Sequence, residues 1–226
     1  MKLVTRIITL ALLVALCLSL VACAEVNILG VSTPTTALAV SDGSTVSDSE
    51  TPVAYRNDYF KYSCTLPDDW YVLNQEEMAQ VLGITFESLG EGDAGDYIQD
   101  SFNSGESQMD FYAFANGGAQ SINIVLGKLK VLEMLLPEQQ LLDASTTLLV
   151  SGLENIGATS VTTSTGKIDF LGDERVALFV QAEYEGGTIF ETIVVLRKGF
   201  YLSTFTMTGL DQASAQDPLS YFQVID

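Results

Sequence analysis

The sequence contains no histidine, only three cysteines and few basic residues. Without histidine, the chain cannot build Ser-His-Asp or Cys-His catalytic groups in their usual forms, nor a metal site with imidazole ligands. Ten Lys and Arg residues stand against 29 Asp and Glu residues, a net charge of −19. An acidic surface of this kind repels nucleic acid and anionic lipid headgroups, so we exclude DNA and RNA as partners.

The cysteines cannot form a disulfide framework. Cys17 lies in the N-terminal leader described below and Cys23 follows it directly as the expected acylation site, which leaves only Cys64 for the folded part. Exported proteins can form disulfides, but Cys64 has no partner in the chain. We expect it to be a small buried hydrophobic residue rather than a reactive thiol. The sequence also lacks a phosphate-binding G-x-x-x-x-G-K-S/T loop and a dinucleotide-binding fingerprint.

The N-terminus has the features of an export signal. Lys2 and Arg6 precede an apolar run from Ile7 to Leu20, and small residues follow. The run is short for a spanning helix, which needs about 20 apolar residues. Its ending, Leu20-Val21-Ala22-Cys23, resembles the lipobox of bacterial lipoproteins. The resemblance implies that residues 1–22 are removed and that Cys23 is acylated, for example with palmitate. The alternatives are an ordinary signal peptide and an uncleaved anchor helix.

Composition divides the remaining chain into a tether and one domain. Ser, Thr, Pro and Ala dominate residues 23–57, and no aromatic residue occurs there before Tyr55. Such a segment cannot bury enough surface to offset its ordering entropy, so we expect a flexible tether. Its root-mean-square reach is roughly 30 Å. Residues 58–226 are long enough for a single globular domain.

Turn and capping signals predict mixed helices and hairpins in this domain. Asn74 and Glu77 have the spacing of a capping box, and Pro137 suits the first turn of a helix. Asn116-Gly117-Gly118 predicts a hairpin, and a β-meander follows from about residue 160. We also expect a short helix near 97–102 and a closing helix over 218–224. The pattern predicts an α+β fold with an antiparallel sheet covered by helices.

One apolar run refines this prediction of fold class. Ile193-Val194-Val195-Leu196 has no polar side chain to turn toward solvent, so both faces of its strand need cover. We therefore expect a three-layer α/β/α sandwich.

Three motifs resemble the PsbP-like family, over about residues 57–226. They are Asn57-Asp58-Tyr59-Phe60 with Leu66-Pro67-Asp68-Asp69-Trp70, the strand Met109-Asp110-Phe111-Tyr112-Ala113, and the final meander with Gly199-Phe200-Tyr201. The family includes an extrinsic photosystem subunit, a Ran-binding nuclear import factor and many uncharacterised bacterial lipoproteins. The resemblance implies the fold. It transfers no functional residue, because the metal and partner contacts of those proteins have no matching motif here.

One acidic cluster is a candidate cation site. Glu91, Asp93, Asp96 and Asp100 could bind Ca²⁺ through carboxylate oxygens, although they lack the ligand spacing of an EF-hand loop. The alternative is a solvated acidic loop. The sequence assigns no catalytic residue and no cofactor.

These features favour a non-enzymatic protein at the cell membrane. We expect a lipid-anchored lipoprotein on the extracytoplasmic face, acting as an accessory or binding module for a membrane or envelope complex. Its partners would be the bilayer, through acylated Cys23, and an unidentified protein. Two alternatives remain: a small hydrolase that uses two carboxylates, and the solute-binding receptor of a transporter.

Overall fold

The computed structural model describes residues 54–89, 93–115 and 118–226. The predicted signal peptide, Cys23 and nearly all of the predicted tether lie outside these residues. Among the described helices, none is long and apolar enough to cross a membrane.

Seven antiparallel strands form the main sheet. They are β3 (Trp70–Val72), β4 (Ser107–Ala115), β5 (Ser121–Lys128), β6 (Ser160–Phe170), β7 (Asp173–Tyr184), β8 (Gly187–Lys198) and β9 (Tyr201–Gly209). Their order across the sheet is β3-β4-β5-β9-β8-β7-β6. Strands β6 to β9 are the predicted meander. The last of them, β9, lies between β8 and β5 and pairs with both. The predicted antiparallel sheet is therefore confirmed.

Three α-helices lie in the described part of the chain: α1 (Gln75–Leu89), α2 (Asp93–Asn103) and α3 (Glu138–Asn155). The capping box of α1 forms as predicted. The Glu77 backbone N–H donates to Asn74 Oδ1 at 3.0 Å, and the Asn74 N–H donates to Glu77 Oε2 at 2.9 Å. Pro137 is the N-cap of α3, and Gly157, at φ +99°, follows its C-terminus.

A smaller sheet of three short strands lies outside the main one. Its strands are β1 (Tyr55–Asn57), β2 (Tyr62–Cys64) and β10 (Phe222–Val224), in the order β1-β2-β10. Two boundaries change as a result. Residues 55–57, which the sequence assigned to the tether, pair with β2 in the domain. The predicted closing helix is instead a short 3-10 helix (Asp217–Tyr221) followed by β10.

The main sheet has a separate apolar core on each face. All three α-helices contribute to the first core, against which Leu178, Val180 and Ile193 pack from the sheet. The second core lies under the small sheet and contains Tyr62 and Phe222. The predicted α/β/α sandwich is thus corrected, because the second outer layer consists of strands and a 3-10 helix. The apolar run in β8 required cover on both faces but could not specify its type.

Candidate functional site

Most side chains on the helix-facing side of the main sheet are apolar, but those in its middle are polar. In β9, Phe205 and Met207 point into the second core. The alternating residues Thr204, Thr206 and Thr208 therefore point toward the helices. This face of the three central strands carries a polar patch, which we define as Ser121 and Asn123 of β5, Glu191 of β8, and Thr204, Thr206 and Thr208 of β9.

Strand register brings these residues together from distant parts of the sequence. Thr208 pairs with Ser121 on one side and with Glu191 on the other, which forms one cross-strand row. Thr206 pairs with Asn123 in the adjacent row. Side chains directly opposite one another on antiparallel strands are about 5 Å apart at Cβ, so the patch is contiguous.

The polar patch is fully enclosed. Glu191 is 3% exposed, and Ser121 and Thr208 are each 1% exposed. Within the described residues, the hydroxyls of Thr204 and Thr206 have no hydrogen-bond partner, whereas the Thr208 hydroxyl interacts with Glu191 and the Ser121 hydroxyl with Tyr112. A buried polar group without a partner costs about 1–3 kcal/mol. The buried hydroxyls of Thr204 and Thr206 therefore oppose folding in the absence of a partner.

Burial also sets the charge state of the patch. Burial raises the pKa of Glu191 well above its usual value, and the neighbouring Thr208 hydroxyl opposes this rise. The pKa of Tyr184 is raised by burial and then by the charge of Glu191. The carboxyl group therefore favours its neutral form, in which it can donate one hydrogen bond and accept others. Chemically, the patch suits neutral polar groups rather than ions.

A second polar cluster, on the other face of the sheet, has a structural role. A β-bulge between Met109 and Phe111 sets Asp110 toward the small sheet. There the Tyr55 hydroxyl donates to Asp110 Oδ2, and Asn57 Nδ2 donates to the Tyr55 oxygen at 3.0 Å. These bonds attach β1 to the edge of β4, and burial raises the pKa of Tyr55.

Two of the buried carboxyl groups lie on opposite faces of the main sheet. Asp110, Glu133 and Glu191 are the buried acidic residues of the described chain. Asp110 lies on the small-sheet face with Tyr55, and Glu191 lies on the helix-facing side between Ile189 and Ile193. Glu133 belongs to a 3-10 helix (Glu133–Leu135) after β5. Hydrolysis by two carboxylates needs a pair about 5–10 Å apart across the substrate. Asp110 and Glu191 face opposite sides of the main sheet and therefore do not form such a pair.

The structure describes the side chains of two of the four predicted cation ligands. Asp96 and Asp100 lie on α2, and both are exposed. Glu91 and the Asp93 side chain lie outside what the structure describes. Across the described residues, no group of three or more His, Cys, Asp or Glu side chains is placed to hold a metal. Cys64, in contrast, is buried in β2 as predicted, and burial raises the pKa of its thiol.

Sequence reasoning missed the polar patch, although one signal was present. Thr204, Thr206 and Thr208 alternate with Phe205 and Met207, a period of two that marks one polar face of a strand. A polar face usually faces solvent, so the pattern alone suggests an exposed surface. Glu191 interrupts an otherwise apolar strand, but its cross-strand partners cannot be identified from local sequence.

No family model and no curated protein matches this chain. Solved structures do match. The PsbP protein of the cyanobacterium Synechocystis sp. PCC 6803 aligns at 10% identity over 75% of this chain and 90% of its own, with a TM-score of 0.46. LpqN of Mycobacterium tuberculosis, involved in cell envelope biogenesis, aligns at 14% identity over 73% of this chain and 83% of its own, with a TM-score of 0.39.

A protein from Bacteroides thetaiotaomicron also aligns, at 10% identity over 74% of this chain, with a TM-score of 0.39. The alignment covers 46% of that longer protein. The function of the present chain is therefore inferred from its own residues.

Proposed function

We propose that this chain is a PsbP-like extracytoplasmic lipoprotein that acts by binding rather than by catalysis. In this proposal, the acyl chains on Cys23 hold the domain at the membrane, where it serves as an accessory module of a membrane or envelope complex. The observation that carries the proposal is the lipobox-like ending Leu20-Val21-Ala22-Cys23 after a charged and apolar leader. Two or more acyl chains give a stable anchor, whereas one chain binds only marginally.

The arrangement of the domain supports the non-catalytic part of the proposal. Two of its buried carboxyl groups, Asp110 and Glu191, lie on opposite faces of the main sheet, and its one described cysteine is buried in β2. A nucleophile needs an adjacent base to activate it, and histidine, the commonest such base, is absent from the whole sequence. Hydrogen-bonding groups are nevertheless abundant in the polar patch, and these groups can bind without reacting.

Metabolic labelling tests the anchor. Cells expressing the wild-type protein should incorporate labelled palmitate, and the protein should fractionate with membranes. Cys23→Ala should lose the label and remain unprocessed. Cys17→Ala is the matched control, since Cys17 precedes the cleavage site and its replacement should leave lipidation intact. Label retained by Cys23→Ala, or lost from Cys17→Ala, would contradict the assignment of Cys23.

Affinity capture from solubilised membranes tests the accessory role. The lipidated protein should recover the same membrane or envelope partner in several detergents. The failure to recover any reproducible partner would count against a role in a complex while leaving the anchor unaffected.

A second candidate function, the binding of a neutral polar solute, is favoured by the polar patch. Native mass spectrometry of the purified protein should then show a bound small molecule. Thr206→Val should remove that mass, because the hydroxyl faces the helices within the patch. Thr192→Val is the matched control, since Thr192 is equally buried and also lacks a hydrogen-bond partner among the described residues, but belongs to the other face of β8. A bare protein mass, or equal loss in both variants, would contradict solute binding at the patch.

A further inference from the structure

Two segments that are far apart in sequence form one end of the main sheet. We define the basic end as residues 128–135, which comprise the last residue of β5 and the segment after it, and residues 197–200, which comprise the end of β8 and the turn to β9. The Leu129 backbone N–H donates to the Phe200 carbonyl at 2.7 Å. Arg197 Nη1 donates to the carbonyls of Met134, at 3.0 Å, and Leu136, at 2.6 Å. These backbone contacts hold the two segments together as one surface.

Large apolar side chains project from the basic end into solvent. Leu135 is 79% exposed, Val131 is 65% exposed, and Leu132 and Phe200 are each 51% exposed. Half of the eight large exposed hydrophobic residues of the described chain are concentrated here. A single exposed apolar residue needs no explanation, but a cluster on a highly charged protein indicates a surface that contacts something apolar.

The same end concentrates positive charge. The described residues contain eight Lys and Arg, and four of them belong to the basic end: Lys128, Lys130, Arg197 and Lys198. Three of the other four are paired with carboxylates elsewhere, in the ion pairs Arg56–Asp58, Lys167–Glu174 and Arg175–Asp173. Arg197 and Lys198 instead bind backbone carbonyls, including that of Tyr59 at 2.5 Å from Lys198 Nζ. A backbone carbonyl carries no formal charge, so these contacts do not neutralise the positive charges of Arg197 and Lys198.

Two acidic residues lie in or beside this surface. Glu133 lies within it, and the exposed Glu106 borders it, because the Glu106 carbonyl accepts the Lys128 backbone N–H at 2.9 Å. Glu133 is the only acidic residue within residues 128–135 and 197–200. Its side chain is buried, Oε2 accepts the Lys130 backbone N–H at 2.6 Å, and burial raises its pKa. No Asp or Glu occurs anywhere from residue 192 to residue 210. The basic end is therefore a local exception to the strong negative charge of the chain.

We propose that the basic end docks on the anionic headgroup surface of the bilayer to which Cys23 is anchored. Phe200, Val131 and Leu135 would enter the headgroup region while the neighbouring lysines contact anionic lipid. Surfaces that combine apolar and basic side chains bind at this depth. The anionic membrane surface repels the acidic remainder of the domain, so the charge distribution orients the domain with the basic end toward the membrane.

The proposal rests on the lipid anchor of the proposed function. The tether that composition predicts, with a reach of roughly 30 Å, would keep the domain near the bilayer, so that even a weak surface contact would be populated through its high effective concentration. The expected partner is the anionic lipid itself, and a protein partner at the same surface is an outcome that the test distinguishes.

The test uses the full-length lipidated protein in vesicles, with an environment-sensitive fluorophore on an introduced cysteine. Phe200→Cys places the probe in the basic end. Leu210→Cys is the matched control, because Leu210 is 52% exposed and follows the other end of β9, about 30 Å away. The native Cys64 thiol is buried, and burial raises its pKa, so it should not react.

We expect the probe at position 200 to brighten and shift to the blue in vesicles that contain phosphatidylglycerol, and to change little in phosphatidylcholine alone. The probe at position 210 should not respond in either. Added salt should weaken the response, because it screens exposed charges. Lys130→Gln should weaken docking about fivefold, the effect of one charge at an anionic surface. Lys167→Gln is the control, since Lys167 lies outside the basic end.

Four outcomes would overturn the proposal. They are no response at position 200, an equal response at position 210, an equal response in neutral vesicles, and a response only in native membranes but not in vesicles of their extracted lipids. The last would identify a protein as the occupant. Flotation with neutral vesicles tests the anchor separately, because protein that does not float with them lacks the anchor. The probe at position 200 in anionic vesicles then still reports whether the basic end docks.

Discussion

Replacing Glu191 by Gln should reduce the pH dependence of the domain's stability. Glu191 is 3% exposed at the centre of the main sheet, and burial raises its pKa well above the ordinary value of 4.5. The folded state therefore holds the carboxyl proton more tightly than the unfolded state does. The stability contributed by this proton is complete below pH 4.5 and is lost as the pH rises toward the native pKa.

The magnitude follows from proton linkage. Between the unfolded and native pKa values, the folded state binds one more proton, so the free energy of unfolding falls by about 1.4 kcal/mol per pH unit. For a domain of this size, that slope lowers Tm by about 4 °C per pH unit. Gln has nearly the same shape as protonated Glu and carries no charge at any pH. Glu191→Gln should thus match the wild type at acidic pH and become progressively more stable than it as the pH rises.

Urea unfolding followed by circular dichroism, at several pH values between about 5 and 8, would measure the difference between the two proteins. Subtraction removes the contribution of every other titrating group. Glu183→Gln is the matched control, since Glu183 lies on the neighbouring strand β7 but is exposed. Parallel profiles for Glu191→Gln and the wild type would refute the reasoning. A Glu191→Gln protein that is less stable at neutral pH would show that the carboxylate is ionised and balanced by a bound positive group.

Three further predictions concern individual residues. Tyr55→Phe should destabilise the domain by about 1–3 kcal/mol, because it removes the hydroxyl that donates to the buried Asp110. Tyr59→Phe, which loses an exposed hydrogen bond, should cost less in the same urea titration, and equal costs would contradict a role for burial. Cys64 should react with a thiol reagent only when urea unfolds the domain, and rapid reaction in the native state would contradict its burial. Limited proteolysis should cleave before Tyr55, and a resistant fragment extending well toward Cys23 would contradict the tether.

Short sequence motifs, such as helix caps and alternating strands, predicted much of the local structure. The Asn74 and Glu77 capping box, the helix that begins after Pro137 and the strands of the meander are all present. Each depends on contacts between residues close in sequence, such as a side chain that satisfies a nearby backbone N–H. The sequence predicted a strand over about 59–65, which includes β2, but the three-residue strands β1 and β10 could not be predicted in this way. Strands β1 and β10 are too short to show a period, and β10 forms only by pairing with β2, which is distant in the sequence.

Composition and local motifs by themselves determined that the chain lacks histidine chemistry, is strongly acidic and carries a lipobox-like leader. The tertiary structure decided where charge and polarity lie. Glu191 stands in an apolar stretch of sequence, and only its register with Thr208 and Ser121 places it in the polar patch. The lysines of the basic end are likewise brought together by hydrogen bonds between segments about 70 residues apart. Pairing over such separations depends on the packing of the whole sheet, which local propensity does not encode.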